Sequence, residues 1–301
     1  MPRLTSTRVG LLALAVAVAG SVAAAAAAGS GAPAGKIAFA SNRDRDTEIY
    51  VMNSDGSGVR RLTHSPKYDA PFQWSPDGRR LLFYSQRSPG GDVWVMNANG
   101  SGQRNVTRNP AHDSPGSWSP DGKQIVFDSN RDGAGDIYVV NADGRGVHRL
   151  TDDPALDETP DWSPDGKTIA FVSERDGGRS EVFAMGADGS EQQALTQGPK
   201  DSDPVWSADG SKIAFVRVAQ GKAAIYVMSP DGSGQRRLVQ DPGGYIGGLS
   251  WSGGGRRIVF GSARDQAAGE LYVVNVSGGG LTRLTHNKFG DNDPVWSPVP
   301  R

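Results

Sequence analysis

Aspartates recur at a near-constant spacing along this chain of 301 residues, each of them five residues before a tryptophan. The sixth copy of the pattern has Ile246 where the others have aspartate. Clustered carboxylates raise the local negative potential and attract cations or basic peptides. The spacing predicts a carboxylate ring that binds a partner, with the nearby Tyr245 as an exposed aromatic anchor. The ring comprises Asp69, Asp113, Asp157, Asp201 and Asp291.

Arginines recur as well, each of them four residues after a phenylalanine: Arg43, Arg87, Arg131, Arg175 and Arg264. The remaining copy has Ala219, and the aspartate position that follows it is the exceptional Ile246. We infer that each arginine pairs with the aspartate of the next repeat, as Arg43 would with Asp69, because a forked guanidinium binds a carboxylate through two N–H groups. The aspartate ring is then either structural pairing between repeats or a binding surface, and both interpretations remain open.

Several chemistries are excluded by composition. The chain has no cysteine, which excludes disulfides, thiolate zinc sites and a cysteine nucleophile. No Gly-x-Ser-x-Gly nucleophile motif occurs, and only four histidines are present. Lysine plus arginine number 32 against 33 acidic residues, a balance that argues against nucleic-acid binding. We assign no catalytic residue.

The elements that position these residues are repeated. Trp-Ser occurs six times, at steps of 44 or 45 residues: Trp74, Trp118, Trp162, Trp206, Trp251 and Trp296. A period of this size indicates a propeller or a solenoid. Each unit contains four short strand patterns, and the chain begins on a second strand near Lys36 and ends on a first strand at Trp296. We predict an all-β fold, a six-bladed propeller of four-stranded blades whose C-terminal strand joins the N-terminal blade and closes the ring.

The first 34 residues differ from the repeats. Arg3 and Arg8 precede an apolar run and an alanine tract, a pattern typical of a secretory signal peptide. We predict a signal peptide and short linker over 1–34 and the propeller over 35–301. The alternative is a retained membrane anchor, and no later segment is apolar enough to cross a bilayer.

The repeats contain the run Ile-Tyr-Val-Met-Asn, then an Asp-Gly turn, then Arg-Leu-Thr, and finally Trp-Ser-Pro-Asp-Gly. This pattern closely resembles the WD-like repeat of the TolB propeller domain, which also has six blades, over about residues 36–301. We expect no counterpart of the additional N-terminal domain of TolB, because few residues precede Lys36. The resemblance implies an exported protein, periplasmic, cell-envelope or extracellular, that binds other proteins at its propeller face and channel. It also implies that Asp203 and Asp293 could hold a cation such as calcium, although no cofactor is required. The alternative is that these two aspartates only cap the start of a strand or a turn.

The leading hypothesis is a non-catalytic, monomeric scaffold that binds a protein or peptide at the channel mouth. The alternative is a lyase or hydrolase that acts on polysaccharide with carboxylates in the channel. A strongly raised pKa at Asp203 or Asp293 would favour the enzyme, and an exposed Tyr245 would favour the scaffold. The glycine-rich sixth repeat, around 243–255, lacks its ion pair in this interpretation, so we expect the weakest seam there.

Overall fold

The computed structural model describes residues 35–298, which form 24 strands in six four-stranded antiparallel sheets. The sheets are the six predicted blades, and we number them in chain order from the N-terminus. The predicted signal peptide and its alternative, a membrane anchor, lie outside the described residues. Within residues 35–298, no helix has the length and hydropathy of a membrane span.

The four strands of each blade follow one another from the channel outward. The innermost strands are β4 (Asp69–Trp74), β8 (Asp113–Trp118), β12 (Asp157–Trp162), β16 (Asp201–Trp206), β20 (Ile246–Trp251) and β24 (Asp291–Trp296). The second strands are β1 (Lys36–Asp44), β5 (Arg80–Ser85), β9 (Gln124–Ser129), β13 (Thr168–Ser173), β17 (Ile213–Ala219) and β21 (Arg257–Ser262). The third strands are β2 (Asp46–Asn53), β6 (Asp92–Asn97), β10 (Asp136–Asn141), β14 (Glu181–Gly186), β18 (Lys222–Met228) and β22 (Glu270–Asn275). The outermost strands are β3 (Arg60–Arg61), β7 (Arg104–Asn105), β11 (His148–Arg149), β15 (Gln193–Ala194), β19 (Arg236–Gln240) and β23 (Thr282–Arg283).

The predicted ring closure is confirmed by the pairing of β24 with β1. Ile37 lies opposite Trp296, and Ser41 lies opposite Asp291, in an antiparallel ladder. Blade 1 therefore takes its innermost strand from the C-terminal end of the chain and its other three strands from the N-terminal end. This pairing removes the free edge that an open array of blades would present.

The turn after each innermost strand shows why the Ser-Pro-Asp-Gly motif recurs. In blade 2 the Ser75 hydroxyl donates to Asp77 Oδ1 (2.5 Å), and the same oxygen accepts from the Arg79 backbone N–H (3.0 Å). Gly78 adopts a φ of 68°, in the left-handed region that glycine enters without steric cost. These contacts reverse the chain tightly enough for the second strand to pair with the first.

The core lies between the blades. The phenylalanine of every second strand is fully buried and packs near the aromatic ring of the third strand, with centroids 5.6–6.0 Å apart. Burial of one such side chain contributes roughly 1.5–3 kcal/mol. Both faces of each sheet are covered by neighbouring blades, which explains the third strands that are apolar on both faces.

Hydrogen bonds also join neighbouring innermost strands along the channel. In four blades the backbone N–H of the repeat tryptophan donates to a side chain of the previous blade. The acceptor is the residue just before that blade's own repeat tryptophan. The bonds are Trp118 to Gln73 (2.8 Å), Trp162 to Ser117 (2.7 Å), Trp206 to Asp161 (2.7 Å) and Trp296 to Ser250 (2.8 Å). Where that residue is valine, the indole Nε1–H of the next blade donates to its carbonyl instead, from Trp251 to Val205 (3.0 Å) and from Trp74 to Val295 (3.2 Å).

Candidate functional site

Five arginines pair with an aspartate of their own blade, and the sixth, Arg264 of blade 6, pairs with Asp241 in the connection from blade 5. None of these six arginines pairs with the aspartate of the next repeat, so that prediction is wrong. The six pairs are Arg43–Asp291 (2.9 Å), Arg87–Asp69, Arg131–Asp113 (2.9 Å), Arg175–Asp157 (2.7 Å), Arg217–Asp201 (2.6 Å) and Arg264–Asp241 (3.6 Å). The physical reason is the antiparallel hairpin. The start of the innermost strand lies beside the end of the second strand of the same blade, where the arginine follows.

The two apparent gaps in the pattern are filled by residues at other positions. In blade 5 the arginine is Arg217, two residues before Ala219. The arginine of blade 6 binds Asp241, which directly follows β19 of blade 5 and lies five residues before Ile246. Sequence reasoning missed both because it required a fixed offset. The arginine of blade 6 therefore has an ion pair, so a missing ion pair no longer supports the expectation of a weakest seam there. The glycine-rich loop, the second reason for that expectation, is present.

Stacking explains why the offset can change while the pair persists. In all six blades the guanidinium carbon lies 4.7–5.0 Å from the centroid of the third-strand aromatic ring. Arginine stacks on aromatic faces while its fork binds a carboxylate. The aspartates themselves are fully buried. The predicted ring of Asp69, Asp113, Asp157, Asp201 and Asp291 is thus a set of internal ion pairs that presents no open carboxylates to a partner.

A channel cavity of about 870 Å³ runs along the innermost strands. Its end near the start of the strands is lined by Tyr68, Tyr84, His112, Asp203 and Asp293, which we call the acidic mouth. Its other end is lined by the six repeat tryptophans and by prolines of the turns. Asp161 lies deeper in the wall, and none of the cavity-lining residues described is lysine or arginine.

Backbone irregularities place Asp203 and Asp293 in the channel wall. Both residues have left-handed φ values, 51° and 49°, as does Thr159 with 51°. The ladders of β16 with β17 and of β24 with β1 shift register at these positions. Such bulges re-aim a side chain, and they are over-represented near functional sites.

Burial raises the pKa of Asp203, and it raises the pKa of Asp293 to about 6, with a further contribution from the negative charge of Asp203. The Tyr68 hydroxyl lies 3.4 Å from Asp293 Oδ2. No group of three or more histidine, cysteine, aspartate or glutamate residues suited to a metal ion occurs among residues 35–298. Binding of calcium at Asp203 and Asp293 stays a prediction.

Two further buried acids were missed by the sequence reasoning. Burial raises the pKa of Asp161 to about 7 and that of Asp128 to about 8. Asp161 Oδ2 accepts the Trp206 backbone N–H, and Asp128 Oδ1 accepts that of Thr159 (3.1 Å). Asp161 occupies the position before the repeat tryptophan, where the other blades have glutamine, serine or valine, so a column-by-column comparison of the repeats could have found it.

Aromatic side chains form the rim of the acidic mouth. Tyr245 is 46% exposed, and Tyr68 is 37% exposed. Tyr68 packs edge-on against Tyr84 (6.1 Å between centroids), which stacks on His112 (5.5 Å). Burial and the charges of Asp293 and Asp203 raise the pKa of Tyr245 to about 12. The predicted exposure of Tyr245 is therefore confirmed, and Tyr68 joins it on the rim.

Solved structures of other proteins share the propeller fold of this chain. A solved structure of TolB from Acinetobacter baumannii is 22% identical, with a TM-score of 0.78, covering 89% of this chain and 68% of that one. An oligogalacturonate lyase in complex with manganese is 16% identical, with a TM-score of 0.56, covering 83% of this chain and 73% of that one. Identities at this level show the fold alone.

An uncharacterized protein of Agrobacterium fabrum is 33% identical over 85 residues, which span 28% of this chain and 28% of that relative's length. The family model of the TolB beta propeller domain matches residues 11–116 and 101–300. These matches cover most of the chain and include every blade of the described propeller. The chain therefore belongs to the TolB beta propeller family.

Proposed function

We propose that this chain is an exported, non-catalytic propeller that binds a protein or peptide partner at the acidic mouth of its channel. The observation that carries the proposal is the open cavity of about 870 Å³, which is lined by the exposed Tyr68, with a second exposed tyrosine, Tyr245, near its acids Asp203 and Asp293. Ligand sites are concave and have volumes of about 300–1,000 Å³. Tyrosines at the centre of an interface often dominate its binding energy.

The rigidity of the ring supports a binding role. Ion pairs at the start of the innermost strands fix the loops near the mouth, and hydrogen bonds at the tryptophan ends of these strands join neighbouring blades. Loops positioned by a rigid scaffold are common sites of recognition. A partner then binds without the entropic penalty of ordering the receptor.

Export is part of the proposal and rests on the signal-like composition of the first 34 residues and on the resemblance to TolB. Fusion of these residues to a reporter enzyme that is active only outside the cytoplasm tests it. We expect the reporter to be active, and removal of the apolar run Val9–Ala19 to abolish that activity.

The binding proposal is tested by capture from an envelope extract of the source cells, with quantitative mass spectrometry. Wild-type chain is compared with a Tyr68→Ala/Tyr245→Ala variant at the mouth. The matched control is Val59→Ala/Val147→Ala, since Val59 and Val147 are 41% and 38% exposed but precede outermost strands.

We expect one protein to be captured stoichiometrically by the wild type and the valine variant, and at least tenfold less of it by the tyrosine variant. Capture that is equal for all three chains would contradict binding at the acidic mouth. No captured protein at micromolar concentration would contradict the scaffold function itself.

A second candidate function is an enzyme that cleaves acidic polysaccharide. The pKa values of Asp161 and Asp293, raised by burial to about 7 and about 6, suit general acid–base groups at neutral pH. The fold similarity to an oligogalacturonate lyase also favours it. Incubation with oligogalacturonides, followed by ultraviolet detection of unsaturated products, tests this alternative. Turnover that is lost in Asp293→Asn would support it.

A further inference from the structure

Asp203, Gly248 and Asp293 occupy the same repeat position on three consecutive innermost strands, β16, β20 and β24. Gly248 lies between the two aspartates in this order and has no side chain. Its φ is 57°, and a Cβ atom there would lie 2.8 Å from the Asp293 Cα atom. The position between the two carboxylates must therefore stay free of a side chain. We call Asp203, Gly248 and Asp293 the acidic niche.

The charge of the acidic niche has no cationic partner among the cavity-lining residues. Asp203 accepts a hydrogen bond from its neighbour Ser202 (2.9 Å), and Asp293 accepts a long one from Tyr68 (3.4 Å). By contrast, each aspartate at the start of an innermost strand is bound by an arginine. Asp203 and Asp293 face a cavity whose lining includes a third carboxylate, Asp161, and no lysine or arginine.

The surroundings of the acidic niche suit a long organic cation. The side chains of Tyr68 and Tyr245 lie near Asp293, and aromatic rings attract ammonium and guanidinium groups. One residue further along the same strands, the wall is apolar, formed by Pro204, Leu249 and Pro294. Methylene stems of lysine and arginine pack on apolar surface while their charged ends stay in polar surroundings.

We propose that the acidic niche binds the cationic side chain of a lysine or arginine in the partner's peptide. This inference rests on the proposed function and names the chemistry of the partner. An organic cation fits better than a calcium ion, because calcium takes six to eight oxygen ligands. No group of three acidic or histidine side chains suited to a metal surrounds any point within residues 35–298.

Three capped tripeptides serve as probes: Gly-Arg-Gly, Gly-Lys-Gly and Gly-norleucine-Gly. Each is titrated by NMR into the wild-type chain, into Asp203→Asn/Asp293→Asn, and into the control Asp152→Asn/Asp176→Asn. Asp152 and Asp176 are exposed and lie outside the cavity lining, so the control changes the net charge by the same amount. Thermal unfolding of each variant verifies that it is folded.

We expect the arginine and lysine peptides to bind the wild type and the control about tenfold more tightly than the norleucine peptide does. The Asp203→Asn/Asp293→Asn variant loses that selectivity. Comparison of the arginine and lysine peptides shows whether the niche prefers a guanidinium or an ammonium group. Equal affinity for the norleucine peptide, or full selectivity in the Asp203→Asn/Asp293→Asn variant, would overturn the inference.

The capture experiment separates this inference from the proposed function. A partner captured equally by the wild type and by Asp203→Asn/Asp293→Asn, but not by the tyrosine variant, would leave the function standing and overturn the cation inference. Selective binding of the basic tripeptides without capture of any protein would overturn the proposed function alone.

Discussion

The carboxylates of the innermost strands lie in two different environments. Those at the start of the innermost strands are paired with arginine, whereas Asp161 and Asp293 accept hydrogen bonds and have no lysine or arginine beside them in the cavity lining. A buried charge without a counter-charge is costly, and burial accordingly raises the pKa of both groups. The first group supports the ring, and the second is available to a ligand.

Asp161→Asn should stabilise the protein at pH 8. The pKa of Asp161 is about 7 in the folded protein and about 3.9 in an unfolded chain. Between about pH 4 and pH 7, Asp161 is therefore protonated in the folded protein and ionised in the unfolded chain. The free energy of unfolding consequently falls as pH rises through this range. Asparagine keeps the acceptor for the Trp206 N–H without the charge. We expect a gain of about 2 kcal/mol at pH 8 that vanishes near pH 4, measured by urea unfolding.

The control for this prediction is Asp209→Asn. Hydrogen bonds from Ser211 and Ser207 lower the pKa of Asp209, which is exposed in a turn. Its replacement should slightly destabilise the protein at neutral pH and should have a smaller effect at low pH. A stability of Asp161→Asn equal to that of the wild type across the whole pH range would contradict the interpretation of Asp161 as a buried charge.

Arg131→Ala should destabilise blade 3 strongly. Arg131 Nη2 donates to both oxygens of Asp113 (2.9 and 3.0 Å), and Asp113 is fully buried. Removal of one partner leaves an uncompensated buried charge and costs about 3–5 kcal/mol. The double variant Arg131→Met/Asp113→Leu should cost less than the single variant in the same urea titrations. A loss below about 1 kcal/mol for Arg131→Ala would contradict a structural role for the pair.

At the scale of the element, the hairpin decides which residues meet. The repeat spacing correctly predicted the strands and the recurrence of arginine and aspartate. It did not reveal the pairing partner. For Arg87, for example, sequence order alone does not show whether the contact is with Asp69, 18 residues earlier, or with Asp113, 26 residues later. Arg217 and Asp241 escaped the pattern because stacking on the third-strand ring and carboxylate binding both tolerate a shifted offset.

Blade 5 offers a test of this hairpin rule. Arg217→Ala should destabilise the protein by about 3 kcal/mol, since it leaves Asp201 buried without its partner. Addition of Ala219→Arg, which restores the consensus arginine position, should not rescue stability. The consensus arginines, such as Arg87, lie in the loop after their second strand, whereas residue 219 is held in the β17–β18 ladder opposite Lys222. Rescue to wild-type stability in thermal unfolding would show that the offset, and not the hairpin, governs the pairing.

Channel residues were predictable only in part. Asp203 and Asp293 were identified as a second acid after the repeat aspartate, but their left-handed backbone and the gap at Gly248 depend on bulges that strand patterns do not show. Tyr68 was missed because its repeat position has no aromatic counterpart in most other blades. Its proximity to Asp293 arises from ring closure, which joins residues 225 positions apart.

At the scale of the whole molecule, closure through β24 makes stability a property of the ring. Removal of residues 291–301 exposes the edge of β1 and the inner faces of blades 6 and 2, which pack against Trp296 and Val295. We expect the truncated chain to lose cooperative thermal unfolding. A synthetic peptide of residues 291–301, added in excess, should restore it. An unchanged melting temperature after truncation would contradict closure by this strand.

The proposed role depends on where the partner binds, and hydrogen–deuterium exchange of the chain with and without its captured partner tests this most directly. We predict slower exchange confined to the backbone around Tyr68, Asp203, Tyr245–Gly248 and Asn292–Asp293, at the acidic mouth. The same measurement on Asp203→Asn/Asp293→Asn should show weaker protection. Protection confined to the outermost strands, with no change at the mouth, would contradict the account of the channel as the binding site.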